Sequence, residues 1–77
     1  MDKITLHELN EDEAAKVVEI KGGRGLEEKL NNLGVRAGKE LTKVNDSFVG
    51  GPITVKIDNA KVAIGHGMAE KILVEVS

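Results

Sequence analysis

Thirteen carboxylates could act as ligands or acid/base groups, but none is bracketed by apolar residues in a way that suggests a raised pKa. The other residues with the chemistry of ligands, nucleophiles or phosphate cradles are His7 and His66, Ser47 and Ser77, and two glycine-rich stretches, "GGRGLEE" at 22–28 and Gly38-Lys39. His66 stands between Gly65 and Gly67 with Met68 next to it, an accessible imidazole beside a soft sulfur. A metal site needs three or four convergent ligands at set spacings, and the sequence has no HxxxH, no HExxH and no cysteine. "GGRGLEE" follows a strand-like run and opens a helix-like one, as a dinucleotide fingerprint would. With Gly23 and Gly25 as its first two glycines, the third position falls on Glu28, and Glu27 and Glu28 would meet the phosphate. Gly38-Lys39 is followed by Glu40 and has no glycine at position 33, so it is not a phosphate loop of the Walker type. Neither serine lies in a nucleophile-elbow context. No enzymatic activity, no bound cofactor and no intrinsic metal site is expected.

The totals narrow the partners. Seventy-seven residues make one domain, spanning 1–77, with 40% apolar and 31% charged residues, a soluble globular balance. Net charge is −2 and the pI is near 5.6, without the basic stripe by which nucleic-acid binders neutralise phosphates. Stacking aromatics are missing too, since Phe48 is the one aromatic, so an RNA-binding barrel is disfavoured. The longest run without Asp, Glu, Lys or Arg is Ser47 to Val55, far short of the ~20 residues that cross a bilayer. "MDKITLHELN" has no signal-like apolar core. The expectation is a cytoplasmic protein without membrane insertion.

The elements that must position any site follow from periodicity. Thr5-x-x-Glu8 fits a capping box that starts a short turn, with Leu6 and Leu9 on one side. "NEDEAA" reads as a loop. "AKVVEIKG" is the first strand, with Val18 and Ile20 inward and Val17 outward. Leu26, Leu30 and Leu33 give the following helix a single apolar stripe, ended by Gly34 with Val35 folding back on Leu30. After a turn at Ala37-Gly38, Leu41 and Val44 have opposite parity, which calls for a β-bulge. Ile53, Val55 and Ile57 face inward, Asp58-Asn59 make a hairpin turn, and Val62 and Ile64 continue the inner face. "GHGMAEK" forms one helical turn, and Ile72, Val74 and Val76 face inward in the last strand. The fold expected is mainly β: a five-stranded SH3-like barrel, a helix inserted after the first strand and a helical turn before the last.

"FVGGPITV" holds the only Phe and the only Pro. Gly50-Gly51 permits a tight turn, and Pro52 fixes φ and lacks an amide donor, so a stiff hairpin launches the Ile53 strand. Phe48 either caps the barrel or, with Val49, offers a docking tip. Aromatics dominate interface hot spots.

In order and spacing, "L..L" at Leu6 and Leu9, "KVVEIKGG", "L...L..LGV.AGKEL", "GGPITVKI" and "KVAIGHGMAEKILV" resemble the FeoA family of small cytoplasmic proteins of bacterial ferrous-iron uptake. The resemblance covers nearly the whole chain. Two turns depart from the family pattern: Ala37-Gly38 stands where Pro-Gly is common, and a loop glycine is missing near Asp12. The resemblance implies an SH3-like barrel and an accessory role. The implied partner is FeoB, a membrane permease with a cytoplasmic GTP-binding domain, met at that domain or at its membrane core; the candidate contacts on this chain are Phe48, Val49, Gly51 and Pro52 on the hairpin and Arg24 and Leu26 at the helix start. It also relates the module to the C-terminal domain of iron-dependent repressors, which implies a transition-metal-binding or metal-sensing domain as the alternative. No helix-turn-helix precedes the module, so the chain is not expected to be such a repressor itself. A weak homodimer stays open.

Overall fold

The computed structural model describes residues 3–45 and 51–76. Six strands form one antiparallel sheet: β1 (Lys3–Thr5), β2 (Ala14–Ile20), β3 (Glu40–Asn45), β4 (Ile53–Ile57), β5 (Ala60–Ile64) and β6 (Ile72–Val76). A 3-10 turn (Leu6–Glu8) follows β1, helix α1 (Arg24–Asn32) follows β2, and the one-turn helix α2 (His66–Ala69) follows β5. The spatial order is β1-β6-β2-β3-β4-β5, which leaves β1 and β5 as the edges. The sheet curls around Leu6, Val17, Leu41, Val55, Ile64 and Val74, all 0–1% exposed.

The sixth strand corrects the sequence reading. Lys3–Thr5 pairs with β6 across Lys3↔Glu75, Ile4↔Val74 and Thr5↔Leu73. Three residues give too short a period to separate a strand from the turn that follows. The capping box is present where expected, with the Thr5 amide donating to Glu8 Oε1 at 2.9 Å and the Thr5 hydroxyl donating to the same oxygen at 3.1 Å.

Two bulges account for the parity conflicts. In β3 the register slips between Lys43 and Asn45, so Val44 is the extra residue, as the Leu41/Val44 mismatch demands. A second slip in β2 lies between Val17 and Glu19, with Val18 unpaired. It reverses the expected facing: Val17 is fully buried, and Val18 and Ile20 are only partly so. Alternation before the bulge is set by Ala15 and Val17, and an uninterrupted reading of Val18 and Ile20 places Val17 on the wrong side.

Helix α1 ends in a Schellman motif. The Val35 amide donates to Leu30 O at 2.9 Å and the Gly34 amide to Asn31 O at 3.0 Å. Gly34 takes φ +94°, a region costly to residues with a Cβ. The motif folds buried Val35 onto buried Leu30 and turns Leu33 outward, where it is 40% exposed. Leu33 therefore leaves the stripe, because the left-handed residue that follows it ends the helical period. Asp58 and Asn59, at φ +50° and +67°, make the β4–β5 turn, and Ile53↔Ile64 through Ile57↔Ala60 pair in register as read.

Candidate functional site

The candidate docking residues fall at two places. Phe48 and Val49 lie outside the described residues. Pro52 is exposed and Gly51 half-buried, leading into β4 where Ile53 pairs with Ile64. One residue beyond Ile64, Gly65 caps the start of α2. Arg24 opens α1 and is exposed, and Leu26 is half-buried. A Cβ on Gly22 would come within 2.7 Å of Leu26 Cδ2 and 3.7 Å of Lys71 Cδ. The close approach of this backbone, at φ +120°, is what seats Leu26 beside the entry to β6, where the Lys21 amide donates to Lys71 O at 2.7 Å. In sequence, α2 follows the β5 residue Ile64 that pairs with Ile53 and precedes Lys71 at the entry to β6.

His7 and His66, distant in sequence, meet. The 3-10 turn and α2 pack together, with ring centroids 4.4 Å apart and planes at 85°. His66 Nε2 lies 3.6 Å from Glu70 Oε1, and His66 Nδ1 is buried without a hydrogen-bond partner. Nothing in local spacing signals this contact, because it joins the ends of two edge strands that do not pair with each other. Among the described residues no three His, Cys, Asp or Glu converge to hold a metal ion, and no pocket opens.

Lys43 is the residue that sequence reasoning missed. On β3 it shares the inner face with Leu41 and is 1% exposed. Its Nζ donates to Leu9 O at 2.6 Å and to His7 O at 3.2 Å, its backbone O accepts from the Asp12 amide at 2.7 Å, and its amide donates to Glu13 O at 3.1 Å. One side chain and its peptide groups thereby fasten the segment 7–13, satisfying carbonyls that burial would otherwise orphan. The period-2 pattern of β3 placed a lysine inside, a position that a binary apolar/polar reading assigns to solvent.

The outer face is polar and patterned. Lys3 lies opposite Glu75, Glu75 opposite Lys16, and Lys16 opposite Glu40, an alternating row across β1, β6, β2 and β3. Glu8 has its carboxyl held below the usual range, first by the Thr5 amide, then by the Thr5 hydroxyl, with a smaller contribution from His7.

These features define a small SH3-like β module whose exposed turns and helix ends, rather than an enclosed cleft, carry its candidate contacts. The FeoA domain family model matches residues 4–76, and the chain belongs to this family. It is 32% identical over 65 residues to a candidate Fe(2+) transport protein A of Methanocaldococcus jannaschii, covering 84% of this chain and 77% of the relative. A crystal structure of an iron uptake regulatory protein, FeoA, superposes with TM-score 0.89 at 27% identity, each chain fully covered. The FeoA-like protein of Clostridium acetobutylicum superposes with TM-score 0.86 at 25% identity over 99% of this chain and 88% of its own. A manganese-dependent transcriptional repressor, at 21% identity, shares the fold over 97% of this chain and 42% of its own, with TM-score 0.88.

Proposed function

We propose that this protein is a non-enzymatic accessory of ferrous-iron uptake that binds and modulates an FeoB-like permease through the permease's cytoplasmic part. Membership of the FeoA family, with relatives described by Fe(2+) transport and iron uptake, supports the iron role. The docking mode is supported by the exposure of Pro52 and Arg24, with Gly51 and Leu26 half-buried, at the starts of β4 and α1. Phe48 and Val49, outside the described residues, join these candidates in the proposal. Stiff turns that bear apolar and arginine side chains suit a protein partner, because they lose little conformational entropy on docking. A cytoplasmic location follows from that partner, and no described helix is long and apolar enough to cross a membrane.

The test is titration of the protein, its Pro52→Ala variant and its Phe48→Ala variant against the purified cytoplasmic domain of the permease, with and without a GTP analogue. Saturable binding weakened about tenfold or more by either substitution supports the reading. Unchanged affinity in variants that unfold cooperatively removes these residues from the interface, and absence of binding in both nucleotide states removes the permease domain as partner. Likeness to the repressor, at 21% identity, speaks for shared fold and gives the metal-sensing alternative no separate support.

A further inference from the structure

Two neighbouring rows of side chains cross the outer face of the sheet, and they differ in charge. The row Lys3–Glu75–Lys16–Glu40 alternates in sign. The other runs Ala14–Thr42–Lys56–Lys61 across β2, β3, β4 and β5, with two lysines side by side and no carboxylate. Both lysines are exposed, and among the described residues neither has a carboxylate partner. Lys61 lies on β5, and among the described residues no strand pairs with the other side of β5. We infer that the β5 edge is a docking strand for an extended acidic peptide, which adds to the sheet with a carboxylate opposite Lys61.

The β4–β5 hairpin fixes which peptide groups are free. Asp58 and Asn59, at φ +50° and +67°, make a two-residue turn flanked by the pair Ile57↔Ala60. In such a turn the flanking residues exchange N–H and C=O groups, and hydrogen-bonded pairs then alternate along the ladder. Ala60, Val62 and Ile64 therefore bond to β4, and the amides and carbonyls of Lys61 and Ala63 point outward. The register runs from Ile57↔Ala60 to Ile53↔Ile64 without a bulge, and no proline interrupts it. An incoming strand thus meets donors and acceptors at ladder spacing. Its residue opposite Lys61 stands on the outer face, and the neighbours of that residue stand on the inner face, beside Ala60 and half-buried Val62 that packs on the core. The segment that fits is apolar, acidic, apolar. Ala63, small and exposed, leaves room on the outer face for a second carboxylate that reaches Lys61 diagonally.

A lysine on an edge strand is also a common guard against unwanted pairing. That role explains Lys61 but not Lys56, which lies directly opposite it on an interior strand, where like charges destabilise the pair. The other edge, β1, is three residues long and its Lys3 faces Glu75, so it carries the guard without the repulsion. Asp58, the nearest carboxylate along the chain, is held by Lys39. A carboxylate brought by a partner turns the repulsion into attraction, and local rules broken in this way mark functional sites. A second copy of this chain does not bring one, because two β5 edges paired antiparallel gather four lysines on one face. A phosphodiester backbone answers the charge but has no N–H donor for the two outward carbonyls. The inference goes beyond the permease reading and does not rest on the docking residues proposed there.

The test is NMR titration of the whole isotope-labelled protein with the end-blocked peptide Thr-Val-Glu-Val-Glu-Val-Thr. Two controls are its counterpart with lysine for glutamate and a copy N-methylated at both glutamates, whose amides would bond to β5. Saturable binding is expected, with the largest shifts at Ala60–Ile64 and slowed amide exchange at Lys61 and Ala63. Lys56→Ala and Lys61→Ala should each weaken binding about threefold to tenfold, and neither control peptide should bind measurably. Ala63→Pro removes an outward amide that β4 does not use and should weaken binding as well; the N-methylated peptide asks the same question with the protein unchanged. No saturable binding up to about 2 mM peptide overturns the inference, as do shifts centred elsewhere, equal binding of either control peptide, or unaltered affinity in both lysine variants. Displacement of the peptide by a single-stranded DNA oligonucleotide from the same residues overturns the peptide as occupant, and self-association that shifts Ala60–Ile64 without peptide does so in favour of a second copy.

Discussion

Replacing Lys16 by Glu puts three carboxylates side by side across β6, β2 and β3, because Lys16 lies opposite both Glu75 and Glu40. Wild type has three opposite-sign neighbours in the row Lys3–Glu75–Lys16–Glu40, and the variant keeps only Lys3–Glu75. Two attractive pairs are lost and two repulsive ones created. Cross-strand pairs of this kind contribute roughly 0.2–1 kcal/mol each, the lower part of the range applying to exposed side chains such as Lys16 and Glu40. The four changes sum to about 1–2 kcal/mol. Lys and Glu have similar strand propensities, so the loss is electrostatic rather than conformational. Urea denaturation at low ionic strength should then show a midpoint lower by about 1–2 M, given a slope near 1 kcal/mol/M for a domain of this size. Raising the salt to about 1 M, where the screening length is roughly 3 Å, should remove most of the deficit. Adding Glu40→Lys restores one attractive pair and should recover about half. A Lys16→Glu variant as stable as wild type at low salt, or a deficit indifferent to salt, would refute the row as an energetic feature.

Three further outcomes follow from the packing. Gly34→Ala should lose about 1–2 kcal/mol in urea titration, because φ +94° is costly for any residue with a Cβ although the nearest side-chain atom, on Ile57, is 3.9 Å away. Lys43→Met fills the same volume but leaves the His7 and Leu9 carbonyls without their donor; a loss of about 1–3 kcal/mol, with faster amide exchange at Leu9, is expected by calorimetry and NMR. Glu8→Gln should flatten the acid limb of stability. The Glu8 carboxyl is lowered in the fold, so its contribution is present above the unfolded value and lost as pH falls through the folded one; thermal melts between about pH 5 and pH 2 would reveal the flattening, and an unchanged acid limb would remove Glu8 from it.

Much of this architecture could be read from apolar spacing. Ile53, Val55 and Ile57 alternate cleanly, and Ile72, Val74 and Val76 repeat the pattern, because each strand buries one face against the same core. The β3 bulge was legible as a parity conflict between Leu41 and Val44. The β2 bulge was not, since Val17, Val18 and Ile20 are apolar on both parities and either phase looks acceptable. Lys43 was hidden because its inward place depends on carbonyls about 35 residues earlier in the chain, which no local pattern records. The same holds for the His7–His66 contact. Of the docking residues, Arg24 and Pro52 sit exposed, at the starts of α1 and β4.

The most direct test of the docking account is chemical-shift mapping of the isotope-labelled protein titrated with the permease's unlabelled cytoplasmic domain. Saturable changes concentrated at Arg24, Leu26 and Gly51 are predicted, with the alternating outer face at Lys16 and Glu40 undisturbed. Changes confined to that outer face, or none at all at saturating partner, would contradict it.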